Sequence, residues 1–454
     1  MLDLPFRSAK QLAAAIKSRK IGCKELLDLY LKRVEKYNPR LNAIIASDIP
    51  AAQKRARAAD AAAKKRAKLG PLHGVPMTIK ESFNVVGMPT TWGVPDLKNN
   101  YPARNALAVD RFLAAGAVLF GKTNVPIYLA DWQSYNAIYG TTNNPWDLSL
   151  SPGGSSGGSA AALAAGLTGI DAGSDIGSSI RNPAHYCGIY GHKPSWGICS
   201  PRGHAMPGVV AQSDISAIGP LARSAEDIAL ALSVMAGPDE IDGAGWKLSL
   251  PAPRRKALRE FKVAVMLTDP NSEVDRAVQD RIQAVADFLA KKKAKVSDRA
   301  RPAFDTTDAQ RTFILMLRAA TSGRLSPEQF QKNQEQLKTL RPDDESYFAR
   351  MTRGNVMPHR DWIKLNNARH QMRLQWAEFF KDWDLLLCPP AASAACPHDH
   401  EGERWQRSIA VNGKRVPATD QLFWAGYSGL FYLPSTIAPA GFTPQGLPVG
   451  VQIV

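Results

Sequence analysis

Apolar residues along this chain shift between helical spacing and strand alternation, and the shifts mark out a series of helices and strands. Ser8 with Gln11 three residues later makes a capping box, which predicts a first helix stopped at Gly22. Leu26, Leu27, Tyr30, Leu31 and Val34 predict a second helix, ending before Pro39. LNAIIASD, from Leu41, predicts a strand, and a basic, Ala-rich helix follows it. Gly70-Pro71-Leu72-His73-Gly74 is a turn into VPMTIK, an alternating strand that ends on Lys80. A helix at 106–114, a buried strand at 117–124 and a turn at 143–147 come next. Ser224 caps a helix over 224–235, with Asp227 three residues on. A strand at 262–267, an amphipathic helix marked by Val274, Val278, Ile282, Val285 and Leu289, and a strand at 294–296 then predict parallel pairing. Residues 300–383 are mainly helical by pattern, and DLLLC at 384–388 is a short buried strand.

The stretch 151–181, SPGGSSGGSAAALAAGLTGIDAGSDIGSSIR, has a different character. No charged residue occurs between Leu148 and Ile170. A flexible Gly/Ser linker does not usually run into an Ala-rich helix former and then a tight turn. The pattern predicts two small-residue loops joined by a buried helix, with serine hydroxyls presented from both.

The length admits two to three domains, but no repeat and no low-complexity linker divides the chain. The expectation is an α/β fold: a single large α/β/α domain with a central mixed, mostly parallel twisted sheet flanked by helices. With 44% hydrophobic and 22% charged residues, the chain has material for a large core and no signature of disorder.

A net charge of +16 raises the question of an acidic partner. The densest basic cluster, KRARAADAAAKKRAK at 54–68, is Ala-rich, has no interleaved aromatics and resembles the wet face of a surface helix. Nucleic-acid binding is not expected. Five scattered cysteines are an odd count and fit a reducing compartment, the cytoplasm. The N-terminus lacks the apolar core of a signal peptide. The long uncharged tract at 421–454 is broken by Pro434, Pro439, Pro444 and Pro448, so no membrane span is expected. Cys396, His398 and His400 lack a matching second pair, so no metal is expected either.

Chemistry concentrates near the central stretch. A serine hydroxyl becomes a nucleophile only when a base takes its proton, and the resulting oxyanion needs backbone donors. The turn Asp175-Ile176-Gly177-Ser178-Ser179 can offer consecutive N–H groups as a nest. Lys80 ends a strand in a weakly charged setting, where desolvation would make its amine a usable base. Gly153 to Gly157 also satisfies G-x-S-x-G, but 147–152 is a poor strand for a nucleophile elbow. The glycine loop lacks the lysine of a phosphate-binding loop.

These motifs resemble the amidase signature family of serine hydrolases. The resemblance rests on GPLHGVPMTIKESFNVVG, GKTNVP, NPWD, SPGGSSGGSAAALAAG, GSDIGSSIRNPAHYCGIYGHKPS, IGPLARSAEDIA and GLPVGVQIV, in that order. It is strong over about 70–236 and near the C-terminus, and weak over about 240–415. It implies a single amidase domain over 1–454, with a signature core, a variable helical region at about 300–383 and a C-terminal sheet and loop segment from 384. It also implies a Ser–cis-Ser–Lys triad: Ser179 as nucleophile, Ser155 as bridging serine on a cis peptide, and Lys80 as base. The backbone N–H groups of Ile176, Gly177, Ser178 and Ser179 would form the oxyanion hole. Ser156, Asp175 and Arg181 would be structural, and Leu129, Asp131, Trp132 and Tyr135 would line the acyl pocket. His73, His185 and His192 would hold structure, because a lysine base leaves no need for a histidine one.

The implied reaction is hydrolysis of a small aryl or alkyl carboxamide to acid and ammonia, with no cofactor. The alternatives are the glutaminase subunit of a tRNA-dependent amidotransferase and an inactive scaffold. The Tyr-Asp-Gly-Val-Arg-Tyr-Gly block usual in that glutaminase is not seen in 240–415. Two departures stand out. The family has Gly-Gly-Ser where this chain has Gly177-Ser178-Ser179, and its members continue past the position of Val454, which implies a truncated C-terminus. The sequence does not set the oligomeric state, and a homodimer is compatible with it.

Overall fold

Strand-forming segments rich in Val, Leu and Ile cannot stay in water, and their burial organises the fold. In the computed structural model, which describes residues 4–65 and 69–454, eight strands, several of them of this kind, form one sheet. From one edge the order is Lys295–Ser297, Lys262–Val265, Leu385–Cys388, Pro448–Ile453, Ser435–Phe442, Tyr190–Lys193, Ala217–Ala222 and Asp171–Asp175. Beside it lies a three-stranded sheet of Ile44–Ser47, Val118–Thr123 and Pro76–Lys80. A parallel bridge from Met77 to Ile170 joins the two where the Lys80 strand meets the start of Asp171–Asp175.

The sheet is mixed, as expected, but parallel pairing is the smaller share of it. Only Lys295–Ser297, Lys262–Val265 and Leu385–Cys388 run parallel to one another; every further pairing in the large sheet is antiparallel. The parallel part is the strand–helix–strand unit legible in the sequence, with the helix Arg276–Lys291 as its crossover. The antiparallel part includes a hairpin, Ser435–Phe442 with Pro448–Ile453, whose short turn cannot join parallel strands.

Helices pack against the sheets, and 300–383 folds into Thr306–Thr321, Pro327–Thr339, Tyr347–Asn355 and His359–Asp382. One apolar cluster gathers Leu12, Leu26, Met77, Phe112 and Val118; another gathers Phe313, Trp376, Trp424 and Phe431. Among the described residues no helix is long and apolar enough to cross a membrane.

Local departures from the sequence pattern have local causes. Gly22 precedes the second helix, Cys23–Leu41, as its N-cap instead of stopping the first, which ends at Ser18. That second helix runs through Pro39 because the proline sits in its last turn, where Asn42 in a left-handed conformation closes the end. The basic helix is Ile49–Lys64, with only Ala52 and Ala56 buried. The rest of its basic cluster, residues 66–68, lies outside the described residues.

The helix Gly157–Ala164 is buried as expected. A Cβ on Gly158 would lie 2.3 Å from the Asn124 nitrogen, so only glycine lets this helix start so close to a neighbouring chain segment. Between the helix and the serine turn runs a strand, Asp171–Asp175, that the sequence pattern did not mark. Its residues, DAGSD, are types depleted in strands, and a fully buried position overrides that preference.

Candidate active site

Lys80 closes its strand with no solvent exposure at all. Its Nζ lies 2.6 Å from Ser155 Oγ, 3.0 Å from Ser174 Oγ and 3.4 Å from the Ser174 carbonyl. Ser174 was not among the residues picked out from sequence; it comes from the unforeseen strand beside Lys80. Burial pulls the Lys80 amine down to about 7, against the opposing pull of the Asp175 and Asp171 carboxylates. A lysine in that range has a substantial neutral fraction at neutral pH.

Ser155 follows a cis peptide bond from Gly154. Its loop is held from several sides. Gly154 N–H donates to Asn182 Oδ1 at 3.2 Å, and Gly157 N–H to Ser134 Oγ at 3.1 Å. A Cβ on Gly154 would press on the Asp131 carbonyl at 2.5 Å, so the loop and the segment after Leu129 approach backbone to backbone. Ser156 Oγ donates to the Ser174 carbonyl at 3.4 Å. The N–H of Ser156 donates to the Ser179 carbonyl at 3.1 Å, which binds the two serine loops to each other.

The turn bearing Ser179 is built around one carboxylate. Asp175 accepts from the N–H groups of Ser178 at 2.9 Å, Ile180 at 3.1 Å and Arg181 at 3.3 Å. It also takes two bonds from the Arg181 guanidinium, at 3.0 and 2.9 Å. Burial alone would raise this carboxyl, but the Arg181 charge and its hydrogen bonds outweigh burial and hold it below the ordinary carboxylate range. Asp175 and Arg181 together hold the turn in place.

The expected set of oxyanion donors needs one correction. The Ser178 N–H is already spent on Asp175, while those of Ile176, Gly177 and Ser179 have no hydrogen-bond partner among the described residues. Ser178 itself sits at φ +74° with its hydroxyl buried and unpartnered. That left-handed backbone accounts for the glycine expected at this position.

Ile176, Gly177 and Ser179 open onto a cavity of about 1050 Å³. Leu129, Asp131 and Trp132 line it, and Trp132 Nε1 donates to the Gly177 carbonyl at 2.6 Å. Tyr135 does not reach the wall. It stacks on His400 at 3.7 Å, and its hydroxyl accepts from Arg407 at 3.1 Å, so it backs the Asp131–Arg407 ion pair. The Ser179 and Ser155 hydroxyls form no direct hydrogen bond with each other among the described residues, although their loops are joined by the Ser156 N–H. The cavity lining also holds residues that sequence reasoning missed, including Arg318, Arg324, Tyr347 and Arg404. They come from the helical region and a distant loop and form no local motif.

The three histidines of the motif blocks hold structure. His185 accepts the Gly450 N–H at 2.8 Å and lies 3.0 Å from the Ser393 carbonyl, His192 meets Thr436 Oγ1 at 2.8 Å, and His73 lies 3.1 Å from the Ala59 carbonyl. No group of three or more His, Cys, Asp or Glu side chains suited to a metal occurs among the described residues.

This arrangement has relatives. The chain matches the model of the Amidase family over residues 25–454, well beyond the motif-rich core. It is 30% identical to an acylamidase of Rhodococcus erythropolis, over 99% of this chain and 92% of that protein. It is 32% identical to a glutamyl-tRNA(Gln) amidotransferase subunit of Bdellovibrio bacteriovorus, over 100% of this chain and 94% of that one. The crystal structure of a bacterial aryl acylamidase has the same fold, with a TM-score of 0.80 at 24% identity, covering 99% of this chain and 92% of the other. The chain therefore belongs to the amidase signature family and is a hydrolase of carbon–nitrogen bonds in amides.

Proposed function

We propose that this amidase hydrolyses a carboxamide with a small aryl or alkyl acyl group to the carboxylic acid and ammonia, using Ser179 as nucleophile, Ser155 as bridge and Lys80 as base. The observation that carries the reading is the 2.6 Å contact of Lys80 Nζ with Ser155 Oγ, beside a Ser179 that opens on the cavity.

Ser155 gives its proton to the neutral Lys80 amine as it takes the proton of Ser179. The Ser179 oxygen bonds to the amide carbon, and the carbonyl electrons move onto an oxygen facing the N–H groups of Ile176, Gly177 and Ser179. When the tetrahedral species collapses, the C–N bond breaks and the proton returns through Ser155 to the leaving nitrogen. Water then attacks the acyl-enzyme by the same relay, releasing the acid and restoring Ser179. No metal or organic cofactor enters these steps.

The whole chain serves as one amidase domain in this reading, with the motif-bearing core supplying the chemistry and the 300–383 helices supplying cavity wall. All five cysteines are free thiols, which supports a reducing compartment such as the cytoplasm.

The likeness to an amidotransferase component favours a second reading, a glutaminase that works only in a complex. Ammonia release by the purified chain from a library of aliphatic, phenyl- and indole-acetamides separates the two. Release without any partner is expected; release from glutamine only with further subunits and charged tRNA supports the second. Lys80→Ala and Ser179→Ala are expected to abolish turnover in folded protein. Full activity in Ser179→Ala rejects the assignment, and absence of both turnover and phosphonofluoridate labelling of Ser179 means an inactive scaffold.

A further inference from the structure

Three arginines of the cavity wall, Arg318, Arg324 and Arg404, form no salt bridge with a carboxylate among the described residues. Arg318, from the helix Thr306–Thr321, lies with its guanidinium 5.4 Å from the centre of the Tyr347 ring and donates to that hydroxyl. Its Nε is buried without a partner. Arg404 lines the same wall within reach of solvent and forms no hydrogen bond or ion pair among the described residues. Arg324 lies 5.4 Å over the Trp92 ring and donates only to the Tyr128 carbonyl, at 2.8 Å.

The acidic residues of the wall form no hydrogen bond to these arginines, although the Asp131 charge is felt by Arg404. Asp131 is taken by Arg407 at 2.7 Å. Asp275 caps the helix Arg276–Lys291. Asp399 and Glu403 also reach the wall and form no salt bridge with any of the three arginines.

Like charges close together repel, and the surrounding protein and Arg318 both work against the charge on Arg404, with Asp131 offsetting part of this. A guanidinium pair of this kind matches the two oxygens of a carboxylate, through charge-assisted and often bidentate hydrogen bonds. The bland alternative is that cavity water alone solvates these groups, in which case they exert no preference among substrates.

We propose that the substrate carries a carboxylate in addition to its scissile amide, and that Arg318 and Arg404 bind that carboxylate. The proposal rests on the amidase reading given above and narrows its acyl group to an anionic one. Arg324 stands nearer the reacting end, because its charge is felt by Lys80.

The test compares succinamate, glutaramate and adipamate with butanamide, pentanamide and hexanamide, pairs that differ only in the terminal carboxylate. For at least one pair, kcat/KM is expected to favour the carboxylate by about tenfold or more. Arg318→Gln and Arg404→Gln should each lower that ratio by about tenfold, chiefly through KM, and Arg404→Lys should restore part of it. A wild-type ratio at or below unity in every pair, or a ratio unmoved by both glutamine variants, overturns the proposal. Should none of these six amides be cleaved, the amidase reading is decided by the wider amide library and the anion site by titration calorimetry on Ser179→Ala. There, the amic acids must bind more tightly than the neutral amides and lose about tenfold with Arg404→Gln; equal or absent binding overturns the site.

Discussion

Arg181 and Asp175 form an ion pair 2.9 Å long with both side chains wholly removed from solvent. The same guanidinium reaches the Ala425 carbonyl, Ser428 Oγ and Gln452 Oε1, at 3.1, 3.0 and 2.8 Å. One side chain therefore ties the serine turn to the C-terminal hairpin. Replacing Arg181 with Met leaves the Asp175 charge buried with only backbone donors. Losing one partner of such a pair costs about 3–5 kcal/mol, and turnover should fall with the collapse of the turn. Urea unfolding and an ammonia assay check both effects; a loss under about 1 kcal/mol contradicts the scaffold role.

Ser178 allows the opposite kind of prediction. It holds a φ of +74° and a buried hydroxyl without a partner. A non-glycine residue in this region costs about 1 kcal/mol or more, and an unsatisfied buried hydroxyl about 1–3 kcal/mol. Glycine gives back roughly 0.5–1 kcal/mol through its freer unfolded chain. Ser178→Gly is thus expected to raise stability by about 1 kcal/mol, with Ser179 still labelled by a phosphonofluoridate. An unchanged or lower Tm refutes the account.

The Lys80 amine, held down to about 7, gives the reaction a pH signature. The competent form is the neutral one, so kcat/KM should rise with pH, by about tenfold between pH 6 and 8, and then level off. Asp171, which accepts the Thr78 hydroxyl at 2.6 Å, pulls the Lys80 value up. Asp171→Asn removes that pull and should move the midpoint to lower pH. Asp171 is itself raised to about 7 by burial, so the direction of the shift tells the two groups apart. A midpoint that stays in place, or a profile that falls with pH, is incompatible with Lys80 as the base.

The reach of the sequence follows from where each signal lies. Lys80, Ser155 and Ser179 sit in short strings that match the motifs of the amidase signature family, so the resemblance picks them out without coordinates. Ser174 is not picked out in this way, since it acts only because Asp171–Asp175 lies beside the Lys80 strand. Tyr135 is an aromatic in the right place along the chain, yet its side chain faces Arg407 and His400. Arg318 and Arg404 are 86 residues apart by their numbers and meet only through packing. Strand direction was partly hidden for the same reason: one crossover helix is visible as a pattern, whereas antiparallel partners are chosen by tertiary contact.

Trp132 joins what was legible to what was not. It was expected at the acyl pocket and lines the cavity, and its indole N–H also bonds the Gly177 carbonyl at 2.6 Å. That bond fixes the peptide between Gly177 and Ser178 and, through it, the direction of the free N–H groups on either side. Trp132→Phe keeps an aromatic wall and removes the donor. If the bond aims the oxyanion donors, kcat should fall by about tenfold while KM stays within about twofold, because the oxyanion exists only in the transition state. A change confined to KM would make Trp132 a contact for the acyl group alone.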